Sequence, residues 1–255
     1  MIKSCLELLS NRVKARTHKM DRIAKKIARH GLCSRREAEK WIQQGRVIVD
    51  GVTLTSPAFN VSSESQIQVD GKLLDAQQPS RLWLYHKPAG LLTSHTDPAG
   101  RPTIFQSLSK TIPRVISVGR LDMNSEGLLL LTNDGVLARY LELPSTGLSR
   151  KYRVRVHGVV RESALGRLKK GVTLDGVRYG KIYAILDRRV GHNSWLSIEL
   201  NEGKNREIRK VLLGIGLKVN RLIRTEYGPF SLGSLPPGEV RELRESITKS
   251  FNPPQ

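Results

Sequence analysis

The sequence predicts an α+β protein: a small unit of two helices and a few short strands, then a larger domain on a mixed, mainly antiparallel sheet. Three observations carry this. Strand-like and helix-like stretches do not alternate strictly along the 255 residues, so the regular rhythm of a parallel βαβ sheet is missing. Asp50-Gly51 and Asp70-Gly71 each stand between alternating apolar residues, the pattern of a tight hairpin. Around Pro79 the chain turns polar, and the remainder is long enough to bury a core of its own.

The elements come in order. Residues 1–20 are basic and irregular and read as a leader. Ile23, Ala24, Ile27 and Ala28 recur at helical spacing, and Gly31 can close that helix. Ser34 with Glu37 three residues on is a capping-box pattern for a second helix, which runs to about Gln44 and ends at Gly45. Short strands at 47–49, 52–54 and 66–69 complete a unit over 21–74. Residues 75–80 read as a linker to a domain over 81–250. That domain opens with the strand Leu82-Trp83-Leu84-Tyr85 and the turn Lys87-Pro88-Ala89-Gly90. Further strands are expected at 115–118, 128–131, 152–156, 182–186 and 196–200, and helices near 134–142, 161–170 and 204–213. Beyond Phe251 the tail is expected to fray.

The formal net charge is +20, which speaks about partners rather than fold. No apolar run approaches the ~20 residues that span a bilayer, and the N-terminus does not have the form of a signal peptide. The expectation is a soluble, cytoplasmic, nucleic-acid-binding protein with no membrane partner. Cys5 and Cys33 make no metal spacing, and the six histidines are scattered, so no metal site is expected. The cations gather in two places. Arg35 and Arg36 occupy the first turn after Ser34, where a helix disfavours positive charge. With Lys40, Arg46, Arg22, Lys25, Lys26 and Arg29 they would make a basic face suited to a phosphate backbone. Later, Gly203 lets a strand run into a helix whose start is crowded by Lys204, Arg206, Arg209 and Lys210. Such a cluster can hold a carboxylate ionised.

Residues 118–135 offer that carboxylate. An apolar run is followed by a polar turn with Gly119, Arg120 and Asp122, then Gly127 and a second apolar run. An Asp in such a turn either satisfies backbone donors or presents a nucleophile or base to a cleft. The local sequence leaves both open.

Taken together, Gly119-Arg120-Leu121-Asp122, the run from Ser125 to Gly135, Lys87-Pro88-Ala89-Gly90, Lys151-Tyr152-Arg153-Val154, Glu202 through Arg209, and Arg221-Leu222-Ile223-Arg224 resemble the motifs of bacterial rRNA pseudouridine synthases. The resemblance is to the branch that modifies single uridines. Residues 21–74 resemble an S4-like RNA-binding domain. The matches span about 21–245. The Asn205-Arg206 form, Pro144-Ser145 and Tyr227-Gly228-Pro229 are similar to the large-subunit synthases of type B, which favours 23S rRNA over small-subunit rRNA.

The resemblance implies a mechanism. The target uridine is flipped out of its stack. Asp122 acts as nucleophile or base while uracil leaves C1′, turns, and rejoins through C5. Tyr152 stacks on the base and takes the C5 proton, Arg209 pairs with the catalytic carboxylate, and Arg120 fills the space of the flipped base. Arg22, Lys25, Lys26, Arg35, Arg36, Lys40, Arg46, Lys204 and Arg206 are expected to hold RNA. No metal or organic cofactor is implied. The partner would be rRNA, naked or in an assembling ribosomal particle, and the protein a monomer. The competing expectations are a non-catalytic ribosome-associated protein and a DNA-reading helix-turn-helix over 22–44.

Overall fold

The computed structural model describes residues 20–108 and 112–251. Apart from Met20, the expected leader lies outside these residues, as do Cys5 and the tail beyond Phe251. The chain divides into two compact units after Gln78.

In the first unit, β1 (Asp21–Arg22) precedes α1 (Ile23–Arg29) and α2 (Arg35–Gln43). Then come β2 (Val47–Val49), β3 (Val52–Leu54), β4 (Asn60–Val61), β5 (Ile67–Val69) and β6 (Lys72–Leu73). Ser34 caps α2, its Oγ accepting from Glu37 N at 3.1 Å. Asp50 and Asp70 take φ of 50° and 51°, each followed by a left-handed glycine, so both Asp-Gly pairs turn hairpins. Ile23, Ile27, Ala38, Ile42, Val47, Val49 and Ile67 close one small core, into which Cys33 is also buried.

The second unit holds β7 (Leu82–Lys87), α3 (Ile104–Ser107), β8 (Ile116–Val118), β9 (Glu126–Thr132), α4 (Gly135–Glu142) and β10 (Arg150–His157). These are followed by α5 (Glu162–Arg167), β11 (Val172–Leu174), β12 (Val177–Tyr179), β13 (Ile182–Val190) and β14 (Asn193–Leu200). The unit ends with α6 (Glu207–Gly214), β15 (Lys218–Tyr227), β16 (Phe230–Ser231), β17 (Val240–Glu242) and α7 (Glu245–Ser250). The main sheet runs β13-β14-β10-β15-β9-β7-β17, with β16 added to β15 and β8 to β9. All its pairings are antiparallel except β15 with β9, as a mixed, mainly antiparallel sheet requires. One face packs α5 and α6 over Tyr152, Val154, Val156, Leu196 and Ile198. The other packs α4 over Leu82, Leu84, Leu128 and Leu130. The run Leu128-Leu129-Leu130-Leu131 is therefore apolar throughout because β9 is buried on both faces.

The parallel junction sets the position of the Asp122 turn. Gly127 opposes Arg224 with φ 103°. A Cβ there would lie 2.6 Å from Arg224 N and closer still to its carbonyl oxygen, so only glycine lets the two strands meet.

One strand carried no expectation, and one expected helix starts later. β15 is the longest strand and central to the sheet, but its run of Lys, Asn and Arg hides the period-2 signal. The helix expected from 204 begins only at Glu207, because Arg206 takes a left-handed φ of 52° and cannot continue it.

Candidate active site

The backbone of the Asp122 turn is tied down from several sides. Lys87, at the end of β7, is fully buried, and its Nζ donates to the carbonyls of Pro88 (2.9 Å), Met123 (3.3 Å) and Ser125 (2.9 Å). Three acceptors on three protons suit an ammonium. Burial pushes its pKa down to about 8, against the pull of Asp122 and Glu126, so it stays charged at neutral pH. Gly90 N donates to Met123 O, and Thr93 Oγ1 donates to Leu121 O at 2.9 Å. Gly119 N donates to Glu142 Oε1 at 2.6 Å. The turn closes on itself through Ser125 N to Asp122 O.

Held in this way, the Asp122 side chain remains about 30% exposed and faces a cleft of about 850 Å³. Arg120, Tyr152, Lys204 and Arg206 also line that cleft. Tyr152 comes from β10, whose side chains alternate strictly between core and solvent, so Tyr152 faces inward while Arg153 and Arg155 face out. Arg206 Nη1 lies 3.4 Å from Asp122 Oδ2 and makes an ion pair with that carboxylate.

One expected pairing meets a different set of contacts. Arg209, expected to pair with Asp122, instead donates from Nη2 to Asn124 O (2.8 Å) and from Nη1 to Val219 O (3.2 Å). It lies one helical turn into α6 and anchors the far end of the Asp122 turn to β15. The left-handed residue at the start of α6 is Arg206 itself, whose Nη1 reaches Asp122 Oδ2, while Arg209 feels the Asp122 charge and makes its hydrogen bonds elsewhere. Sequence spacing could not show this, because the expectation took Arg206 as already helical.

The floor of the cleft holds a stack that the motifs did not reveal. The guanidinium groups of Arg150 and Arg224 sit 4.7 and 5.0 Å from the Tyr227 ring centroid. Arg150 donates to Asn201 O and Tyr227 Oη, and Arg224 to Leu128 O. Beside the stack, the Glu202–Glu207 segment carries two carboxyl groups that share Lys204, Glu202 Oε2 accepting from its Nζ and Glu207 Oε2 from its backbone N. Glu207 is buried, and burial together with its neighbour Glu202 pushes its pKa up to about 8.

In the first unit the expected RNA contacts fall into two groups. Lys25 pairs with Asp21 at 2.6 Å, Lys26 donates to the carbonyls of Ser62 and Ser63, and Arg46 makes a two-pronged pair with Asp70. These three are engaged within the unit, so their first role here is structural. Arg22, Arg35, Arg36 and Lys40 are exposed. Among the described residues no cluster of three or more His, Cys, Asp or Glu is placed to hold a metal, and no helix is long and apolar enough to cross a membrane.

The comparisons with known proteins bear on this arrangement. The RNA pseudouridylate synthase family matches residues 81–213, and the S4 domain matches residues 21–67. An uncharacterised RNA pseudouridine synthase of Rickettsia felis is 50% identical over 89% of this chain and 99% of its own length. The chain belongs to the RNA pseudouridine synthase family. A ribosomal large subunit pseudouridine synthase B of Pasteurella multocida is 42% identical over 95% of this chain and 75% of that relative. A solved pseudouridylate synthase superposes with a TM-score of 0.63 at 28% identity, covering 90% of this chain and 99% of its own. This synthase is therefore an RNA-modifying isomerase with an N-terminal S4 domain, as the motifs led one to expect.

Proposed function

We propose that this synthase converts a single uridine of 23S rRNA to pseudouridine, with Asp122 as the reacting carboxylate. The observation that carries the reading is the Asp122 turn. Its backbone is fixed by a buried ammonium, while its carboxylate stays open to the cleft beside Arg206. Fixation in advance of this kind is what a positioned catalytic group needs. In the isomerisation the N1–C1′ bond breaks and a C5–C1′ bond forms. The C5 proton leaves to solvent and N1 gains one, so atoms balance without a redox partner. Asp122 assists departure of uracil from C1′, Tyr152 stacks on the freed base and removes the C5 proton, and Arg206 takes the ion-pair role first expected of Arg209. Arg120 fills the space of the flipped nucleotide. Arg209 acts through Asn124 O as a positioning residue. The exposed cations Arg22, Arg35, Arg36 and Lys40 hold the RNA backbone, whereas Lys204, first expected among them, is engaged with Glu202 and Arg178 O.

The large-subunit target is supported by the synthase B relatives at 40–42% identity. The substrate is rRNA in the cytoplasm, naked or in an assembling particle, acted on by a monomer. The test is tritium release from rRNA transcripts labelled at uridine C5, with carbodiimide primer extension to map the product. Release from 23S but not small-subunit transcripts is expected, and Asp122→Asn should abolish it while RNA binding persists. Release from small-subunit rRNA alone would move the target. An active Asp122→Asn variant would remove Asp122 from the chemistry.

A further inference from the structure

The turn that brings Arg206 to Asp122 is built on a pair of acids. Glu202 Oε1 accepts from Gly180 N and its Oε2 from Lys204 Nζ. Glu207 Oε2 accepts from Lys204 N at 3.0 Å. Glu207 is only 3% exposed and its Oε1 is buried without a donor, and burial followed by a hydrogen bond with the Glu202 carboxyl raises its pKa. Two carboxylates have only acceptors to offer each other, so such a contact holds only if one carries a proton. The donors already at Glu202 are an ammonium and a backbone N–H, which favour its ionised form, whereas Glu207 has one backbone donor and a buried free oxygen.

We infer that Glu207 is the neutral acid, that its Oε1–H is donated to Glu202, and that this shared proton fixes the turn delivering Arg206 to Asp122. The pair explains how a residue with left-handed backbone can be held at the start of α6. Glu202 fastens the turn to Gly180 beside β13, and Glu207 fastens the helix start to Lys204 N, with the proton joining the two anchors. Glu207 is thus a positioning residue that acts through Arg206. The charged and titratable groups around the turn are Glu202, Lys204, Arg150, Tyr179, Arg206 and Asp122. Lys204 Nζ lies over the Tyr179 ring and donates to Arg178 O, so its charge is directed to Glu202 and the β12 end. When Glu207 loses its proton, two adjacent carboxylates repel and the turn loosens.

The consequence for activity rests on the Asp122 reading, whereas the protonation state can be read without it. In full-length protein labelled with ¹³C at glutamate carboxyls, one resonance, absent from Glu207→Gln, is expected to titrate near pH 8. Glu202→Gln should lower that midpoint by removing the like charge. If every glutamate carboxyl is already ionised by pH 6, the shared proton does not exist. In single-turnover tritium release, the wild-type rate should fall above about pH 8. Glu207→Gln keeps a donor toward Glu202 and cannot ionise, so part of that fall should disappear. Glu207→Leu should lose on the order of tenfold at every pH, since a displaced positioning shell is costly. Lys87 also titrates near 8, so the comparison is between proteins, not the limb alone. An identical alkaline limb in wild type and Glu207→Gln would overturn the positioning role even if the carboxyl titrates as expected.

Discussion

Replacing Gly127 by alanine tests the close backbone approach of β9 to β15. The added Cβ would meet Arg224 N at 2.6 Å and the Arg224 carbonyl oxygen closer still, and neither is the end of a flexible side chain. Relief requires β9 and β15 to part where they pair in parallel, next to the Asp122 turn. Overpacking of this kind costs about 1–3 kcal/mol. Holding a non-glycine residue at φ 103° adds a further ~1–3 kcal/mol of strain. Lower unfolded-state entropy returns about 0.4–1 kcal/mol. The net is roughly 1–6 kcal/mol, or about 2–22 °C in Tm for a unit of this size. Thermal unfolding followed by circular dichroism measures it directly. Gly119→Ala is the control: its φ is 65°, but no atom lies within 4 Å of the new Cβ, so only the strain term of about 1 kcal/mol remains. If Gly127→Ala melts within about 2 °C of wild type, or no lower than Gly119→Ala, strand contact is not what excludes a side chain there.

Arg206→Gly relaxes a left-handed backbone and deletes the cation beside Asp122, so stability should stay within about 1 kcal/mol while tritium release falls at least about tenfold; a fully active variant would contradict the Arg206 assignment. Arg35→Ala and Arg36→Ala should each weaken RNA binding and make the salt slope shallower by about one unit, whereas Arg46→Ala, already paired with Asp70, should change the slope less; equal slopes for all three would place the RNA elsewhere. Glu207 has its folded-state pKa raised, so the stability it contributes is full below about pH 4.5 and is lost as pH rises towards 8. Denaturant titrations should therefore show Glu207→Gln gaining a few kcal/mol on wild type between about pH 5 and 8, then no more; a constant difference across that range would count against a buried neutral acid.

Much of the architecture was legible because local chemistry and tertiary demand agree. The Asp-Gly hairpins, the Ser34 cap and the alternation of β10 each need only their own neighbours. β15 was not legible, since Lys218, Asn220 and Arg221 leave its first half exposed and Arg224 is a charged residue on its buried side. The site was legible as a set of motifs but not as a set of contacts. Arg206 and Arg209 are three residues apart, and only the backbone at Arg206 decides which one reaches the carboxylate. Lys87 looked like part of a turn, although a lysine at the inward end of an apolar strand must find acceptors, and it finds three. The Arg150–Tyr227–Arg224 stack joins residues from two strands and had no local signal.

The sequence by itself determined the polyanion-binding character, the α+β class, the family and the presence of an aspartate in a glycine-flanked turn, because charge, periodicity and turn chemistry are local properties. Tertiary structure decided which cation faces Asp122, which ammonium fixes its turn, and which of two acids keeps a proton. Those outcomes depend on distances of a few ångströms between residues far apart in the chain, and on burial that raises the cost of an unpaired charge. They exist only once the strands have closed around them.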